Sequence, residues 1–174
     1  MKFAYADPPY IGQAKKHYSD DPQCAEVNHD ELLARFVNNY DDFDAWALSC
    51  SSVSLKEILN SPFCPSDVRI CAWVKPFASF KPGVNPGYAW EPIITYGGRK
   101  LGRDVPTVVD WVSANITLKR GLVGVKPDKF CHWLFSFMGL VPTDEFVDLY
   151  PGSGAVTKAW EAYCRSRKFE FRSW

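Results

Sequence analysis

Four consecutive residues, Asp7-Pro8-Pro9-Tyr10, bring together a carboxylate, stiff prolyl carbonyls and an aromatic ring. A carboxylate and a carbonyl can each accept a hydrogen bond from an –NH2 group, and a ring can stack on a flat heterocycle. The tetrapeptide therefore reads as a pocket for a planar molecule bearing an exocyclic amine. A plain proline turn with a capping aspartate fits the same four residues, so both readings stand on this segment alone.

A second segment, Asp148-Leu149-Tyr150-Pro151-Gly152-Ser153-Gly154, has the order strand, Gly-rich turn, helix. Glycines let backbone N–H groups approach a ligand closely, and a helix N-terminus favours negative charge. The spacing is not the dinucleotide G-x-G-x-x-G, and the lysine of a phosphate loop is missing. A purely structural βα turn is the alternative.

The elements that must position these groups follow from periodicity. Lys2 to Ala6 is a short apolar, β-favouring run, and two prolines without N–H donors must end it. In an open α/β sheet the C-terminal end of a strand is where ligands bind. The stretch Ile11 to Asn28 is polar and long, either a substrate-contacting lid or a surface loop. His29 to Tyr40 has helical spacing at Leu32, Leu33, Phe36 and Val37, with Asn28 as N-cap. Phe43 to Cys50 reads as a strand, the serines up to Ser54 as turn and capping chemistry, and Leu55 to Leu59 as a short helix. Val68 to Val74 and Tyr88 to Tyr96 read as further strands, with a loop from Phe77 to Gly87 between them. Arg99 to Arg120 is mixed, basic at both ends, and carries no clear period. Lys126-Pro127-Asp128 opens an apolar helix that Gly139 closes. Phe146 to Tyr150 reads as a strand, Ala155 to Cys164 as a helix, and Lys168 to Trp174 as one more short strand. This alternation predicts a mostly parallel sheet covered on both faces.

The chain has 174 residues, enough for one domain spanning 1–174 with a real core. Lysine plus arginine equals aspartate plus glutamate at 20 each, which weighs against tight, non-specific nucleic-acid binding. Aromatics reach 16%, including seven tryptophans, a surplus that suits flat ligands as well as a core. Cys24, Cys50, Cys64, Cys71, Cys131 and Cys164 form no C-x-x-C pair, and no histidine stands in ligand-like spacing with them, so no metal is expected. Without a signal peptide or a membrane-length apolar run, the expectation is a reduced, cytoplasmic protein.

Together the two motifs are sharper than either alone. D-P-P-Y with D-x-[F/Y]-x-G-S-G resembles the S-adenosylmethionine-dependent methyltransferases that act on exocyclic amino groups of nucleobases. The catalytic motif precedes the cofactor motif, as in the permuted, β-type DNA amino-methyltransferases, and the messenger-RNA adenine methyltransferases share that order. Ile70-Cys71-Ala72-Trp73-Val74-Lys75-Pro76 is similar to the family's "I-x-W-x-K" strand. Tyr88 to Ile94 is similar to its "E-x-I-I" strand, and Lys126-Pro127 to its "K-P" helix start. The resemblance covers nearly the whole chain. It implies a Rossmann-like α/β sheet, circularly permuted and truncated at one edge, with no separate target-recognition domain.

It further implies S-adenosylmethionine as cofactor, held by Asp148, Tyr150, Gly152, Ser153 and Gly154, with Lys126, Pro127 and Asp7 beside it. An extruded base would stack on Tyr10, while Asp7 and the Pro8 carbonyl, shaped by Pro9, accept from its amine. Adenine in DNA is the first-choice substrate; RNA adenine, cytosine N4 and an idle partner subunit are the alternatives. Lys15, Lys16, Lys75, Arg99 and Arg103 are the candidate contacts to the nucleic acid. The family usually has far more chain between the "E-x-I-I" strand and the "K-P" helix, so a homodimer or partner subunit could supply recognition. A compact enzyme of this kind suits a phage or bacterial setting. Glu170 is the only nearby acid for the cofactor ribose.

Overall fold

The computed structural model describes residues 1–10, 27–38, 41–77, 83–117 and 125–170. Its strands are β1 (Lys2–Ala6), β2 (Ala45–Ser49), β3 (Arg69–Val74), β4 (Trp90–Gly97), β5 (Trp111–Ser113) and β6 (Glu145–Asp148). The helices are α1 (His29–Val37), α2 (Leu55–Leu59), α3 (Asp128–Phe137) and α4 (Ala155–Glu170). The strands form one six-stranded sheet in the order β5-β3-β4-β2-β1-β6.

β1 is buried along almost its whole length because both of its faces are covered. Phe3 and Tyr5 point to one side, into a cluster with Phe130, Leu134 and Phe135 of α3 and Val156, Ala159 and Tyr163 of α4. Ala4 and Ala6 point to the other, against Leu32, Leu33 and Phe36 of α1 and Ile58 of α2. Alternating side chains on a strand and three-to-four spacing on a helix produce this layering directly. Trp46 of β2 stacks on Phe36 at 4.9 Å and closes the α1 side.

Helix ends follow the residues expected to make them. Asn28 caps α1 through Oδ1, which accepts from the N–H groups of Asp30 and Glu31. Gly139, with φ +71°, ends α3: its N–H donates to Ser136 O at 3.1 Å, and that of Leu140 to Phe135 O at 2.9 Å. That is the paired bonding of a Schellman cap.

The sheet is mostly parallel, as expected: β1–β2, β1–β6 and β3–β5 are parallel, and among the described strands β4 alone is reversed, antiparallel to both β2 and β3. An apolar period of two is the same in either direction, so periodicity carries no sign for the polarity of β4. The structure corrects the sequence reading in two places. The unassigned stretch after β4 contains β5, a three-residue edge strand on β3. Residues 168–170, expected in a strand, continue α4; the Phe-Glu-Phe alternation is too short to end a helix already running. Residues 171–174 lie outside the described residues.

Cys50, Cys64, Cys71 and Cys131 are free thiols, and no metal-holding cluster exists among the described residues. Within the same set, no helix is long and apolar enough to cross a membrane.

Candidate active site

β1 and β6 lie side by side and parallel, with Tyr5 opposite Asp148. The N–H of Leu149 donates to Tyr5 O at 2.9 Å, which carries the pairing just past the end of β6. The Asp7-Pro8-Pro9-Tyr10 turn and the Tyr150 to Gly154 turn therefore leave the sheet from neighbouring strands at the same end. Residues about 140 positions apart in sequence become one site. The reason is local: prolines end β1, and glycines with left-handed backbone end the other segment.

The antiparallel course of β4 brings a third contributor. Its first residues face the last residues of β3, with Trp90 opposite Val74 and Glu91 opposite Trp73. Glu91 thus arrives at the same end as Asp7, from a strand pointing the other way. Lys126, just ahead of α3, completes the set. α3 is held there by Phe130, whose ring lies 5.3 Å from Trp73 and 6.2 Å from Tyr5.

These side chains form a continuous ionic chain. Lys126 Nζ donates to Asp7 Oδ1 at 2.9 Å and to Glu91 Oε1 at 2.6 Å. Lys75 Nζ donates to Glu91 Oε2 at 2.7 Å. Lys126 and Glu91 are almost fully buried, with side chains 3% and 6% exposed. The indole of Trp73 lies beneath both ammoniums, 4.4 Å from Lys75 Nζ and 5.2 Å from Lys126 Nζ. An aromatic face attracts a cation, and more so when both are shielded from water.

Burial and charge set the protonation of this chain. Burial pushes the Asp7 carboxyl up to about 6, with the Lys126 ammonium pulling down and the Glu91 carboxylate adding to the rise. Glu91 is also penalised by burial, but the ammoniums of Lys126 and Lys75 outweigh this and hold it below the ordinary carboxylate range. The two acids differ because Glu91 has two cations and Asp7 shares one. Burial acts to lower Lys126, yet Asp7 and Glu91 keep it above its usual value, firmly cationic. Tyr10 stays a neutral phenol, raised first by burial and then by Glu91 and Asp7. The Tyr5 hydroxyl and Ser49 Oγ share a buried hydrogen bond of 2.9 Å beneath the site.

On the β6 side, Thr157 Oγ1 donates to Asp148 Oδ2 at 3.1 Å, which fixes the carboxylate from the first turns of α4. Among the described residues Asp148 Oδ1 is buried with no hydrogen-bond partner. Burial raises this carboxyl, with the Thr157 hydroxyl and the Tyr150 N–H opposing. A buried acceptor left open is costly unless a ligand satisfies it. Gly152 and Gly154 have φ of +47° and +70°, and a Cβ at either would meet nothing nearer than 3.9 Å. The turn is thus open beside an unsatisfied acceptor, a cradle for a ligand carrying N–H or O–H donors. Tyr150 is half-buried, Ser153 is exposed, and Pro127 sits at the N-terminal cap of α3.

The candidate nucleic-acid contacts separate clearly. Lys75 is at the site, but committed to Glu91. Arg99 is not at the site: it donates to both oxygens of Asp144, at 2.7 and 2.9 Å, ahead of β6 and therefore at the opposite end of the sheet. Arg103 lies in the connection from β4 to β5, which starts and finishes at that far end; Arg69–Asp110 pins it at 2.9 Å. Both stand away from Asp7 for one reason, the antiparallel β4, which carries the connection that follows it to the far end of the sheet. Lys15 and Lys16 lie outside the described residues. Glu170 is the last described residue of α4 rather than the end of a strand. Glu91 was missed as a site residue, although a carboxylate inside the apolar run Trp90 to Ile94 must be paired wherever it is buried.

The sequence matches no protein-family model and no curated protein. Among solved structures, M1.HpyAVI aligns with a TM-score of 0.61 at 15% identity, over 94% of this chain and 77% of that chain. The M1.HpyAVI–SAM complex aligns with a TM-score of 0.59 at 15% identity, over 94% of this chain and 78% of that chain. Likeness at this identity is likeness of fold. The chain has the α/β fold of M1.HpyAVI, built on a six-stranded mixed sheet.

Proposed function

We propose that this protein is an S-adenosylmethionine-dependent methyltransferase that modifies the N6 amino group of adenine in DNA. One observation carries the reading: the Asp7 turn and the Asp148 turn leave adjacent parallel strands at one end of the sheet. The fold shared with M1.HpyAVI, one structure of which is a complex with SAM, supports the choice of cofactor.

The residues present fit that cofactor. Asp148 Oδ1 offers an open acceptor, Gly152 and Gly154 keep the turn free of side chains, and Tyr150 presents a half-buried ring. When bound, S-adenosylmethionine supplies a methyl group activated on a positively charged sulfur. The chain's own part is positioning and electrostatics. Asp7 Oδ1 is taken by Lys126, which leaves Oδ2 to accept one amine hydrogen; the Pro8 carbonyl accepts the other. Two acceptors draw the nitrogen toward tetrahedral geometry and concentrate its lone pair on the side facing the Asp148 turn. Tyr10 stacks on the extruded base. A carboxylate whose proton affinity has been raised toward neutrality is a stronger acceptor than an ordinary one, yet is still ionised above pH 7. Most of the acceleration then comes from holding the amine in line and from fixed charges.

The test is incubation of the purified protein with S-adenosylmethionine labelled on the methyl, offered single-stranded DNA, duplex DNA and RNA separately. Nucleosides are then resolved by mass spectrometry, with Asp7→Ala as control. Label in N6-methyldeoxyadenosine that vanishes in the variant is the expected result. Label in N6-methyladenosine or N4-methyldeoxycytidine would move the substrate and keep the chemistry. No label in any polymer, with the cofactor still bound, would replace this reading with an idle subunit.

A further inference from the structure

Glu91 is engaged through both of its carboxylate oxygens, and nothing in the two motif turns explains it. Each of its oxygens holds a different lysine: Oε1 takes Lys126 at 2.6 Å and Oε2 takes Lys75 at 2.7 Å. Lys126 then reaches Asp7 Oδ1 at 2.9 Å. The four side chains come from β4, from just after β3, from just ahead of α3 and from just after β1, so the chain of charges crosses four separate segments. Burying ions is expensive, and a buried pair usually stabilises a fold no better than apolar side chains of similar size. The arrangement therefore points to a task beyond folding.

We infer that Glu91 is a positioning residue for the methyl transfer proposed above: it anchors Lys126 so that one oxygen of Asp7 is held and the other faces the substrate amine. Lys75 completes the device. Without it, Glu91 would face Lys126 as one of two carboxylates on a single cation; with it, the four charges cancel. The inference rests on the amino-methyltransferase reading but makes a separate claim about Asp7.

Asp7 is faced by charged and titratable groups from several elements. Lys126 comes from ahead of α3, Glu91 from β4 and Asp148 from β6, with Tyr5 on β1 and Tyr10 following it. Cys50, after β2, and Cys131, on α3, are thiols that burial pushes up to about 12, so they stay neutral. Lys126 and Glu91 thus act on Asp7 with opposite sign. Removing Glu91 lowers the pH at which Asp7 takes a proton, and removing Lys126 raises it.

The experiment compares wild type with Glu91→Gln, Glu91→Asp and Lys126→Gln. It combines methyl-transfer kinetics from pH 5 to 9, calorimetric S-adenosylmethionine affinity, and a carbon-13 titration of the Asp7 carboxyl. For Glu91→Gln, kcat should fall about 10- to 100-fold, the scale of a misaligned reacting group. Cofactor affinity should stay within about 3-fold, as the Asp148 turn is untouched. The Asp7 midpoint should move down in Glu91→Gln and up in Lys126→Gln. Wild-type kcat and an unmoved midpoint in Glu91→Gln would overturn the inference. If Glu91→Gln does not fold, Glu91→Asp decides: it keeps the charge and withdraws the reach, so lowered kcat with retained cofactor affinity supports the role, and unchanged kcat overturns it. A wild-type chain that methylates nothing would remove the parent reading, while the Asp7 titration would still decide whether Glu91 and Lys126 govern that carboxyl.

Discussion

Asp7 carries an energetic cost set by its burial. Its carboxyl takes up a proton at about 6 in the folded protein against 3.8 for the free side chain. The folded state therefore binds that proton more tightly, and this group's contribution to stability declines as pH rises from about 4 to 6 and remains a penalty above. Asp7→Asn should reduce methyl transfer at least about 100-fold. The same variant should be no less stable than wild type at pH 7.5, and relatively more stable there than at pH 4.5, by on the order of 1 kcal/mol. Urea melts at the two pH values measure this; a variant that loses stability at pH 7.5 would contradict it. The same carboxyl should give kcat/KM an acid limb centred near pH 6, since the proposed transfer needs Asp7 ionised. A limb near 4 would mean that Asp7 is not the titrating group. Asp7 was legible in the sequence because two prolines announce where its strand stops. The resemblance put Lys126 beside it, but the pairing through Glu91 was not readable: Lys126 lies 119 positions from Asp7 and 35 from Glu91, and ion pairing across such spans leaves no trace in local pattern.

Among the elements, two glycines separate structural from functional demand. Gly97, at the end of β4, has φ +69°, and a Cβ there would lie 2.6 Å from the Asp44 carbonyl oxygen. Gly97→Ala should cost about 1–3 kcal/mol, read from urea unfolding, and leave the cofactor affinity of the folded fraction unchanged. Gly152, with φ +47°, has nothing nearer than the Tyr150 oxygen at 3.9 Å. Gly152→Ala should therefore cost only about 1 kcal/mol in folding, while S-adenosylmethionine affinity drops by more than that. Equal losses in both assays for both variants would mean the Gly152 turn holds no ligand. Strand positions, helix positions and the caps at Asn28 and Gly139 were readable because each depends on neighbours within about four residues. The direction of β4 was not, and on it depends which end of the sheet Arg99 and Arg103 stand at. The extent of α4 was misjudged for a related reason, an alternation of three residues set against a helix already well under way.

At the scale of the molecule, the sheet divides the core into two apolar layers, and the site stands on the one that includes Phe130. That ring touches Tyr5, Trp73 and Trp133, and Lys126 Nζ sits 5.8 Å above its centre. Phe130→Ala should cost about 3–5 kcal/mol by leaving a cavity beneath the ionic chain. Activity per folded molecule should fall as well, because Lys126 loses its floor; a stability loss with undiminished specific activity would show that the layer supports the fold alone. The α/β class, a sheet covered on both faces, was legible in the alternation of elements, since each buried face must find a cover. Ile70 and Trp111, 43% and 51% exposed, mark where β3 and β5 lack one, which no pattern of residues announces.

β1 is clasped between β2 and β6, and these partners differ in age on a chain being made. Ribosomes release β1 and β2 early, whereas residues 145–148 follow on the order of 10 s later at typical elongation rates. For that interval the flank of β1 that β6 will cover is a bare backbone edge, free to pair with a neighbouring nascent chain. β1 is thus a strand that a chaperone's shelter would protect during synthesis, and co-expression with one should raise the yield of folded protein.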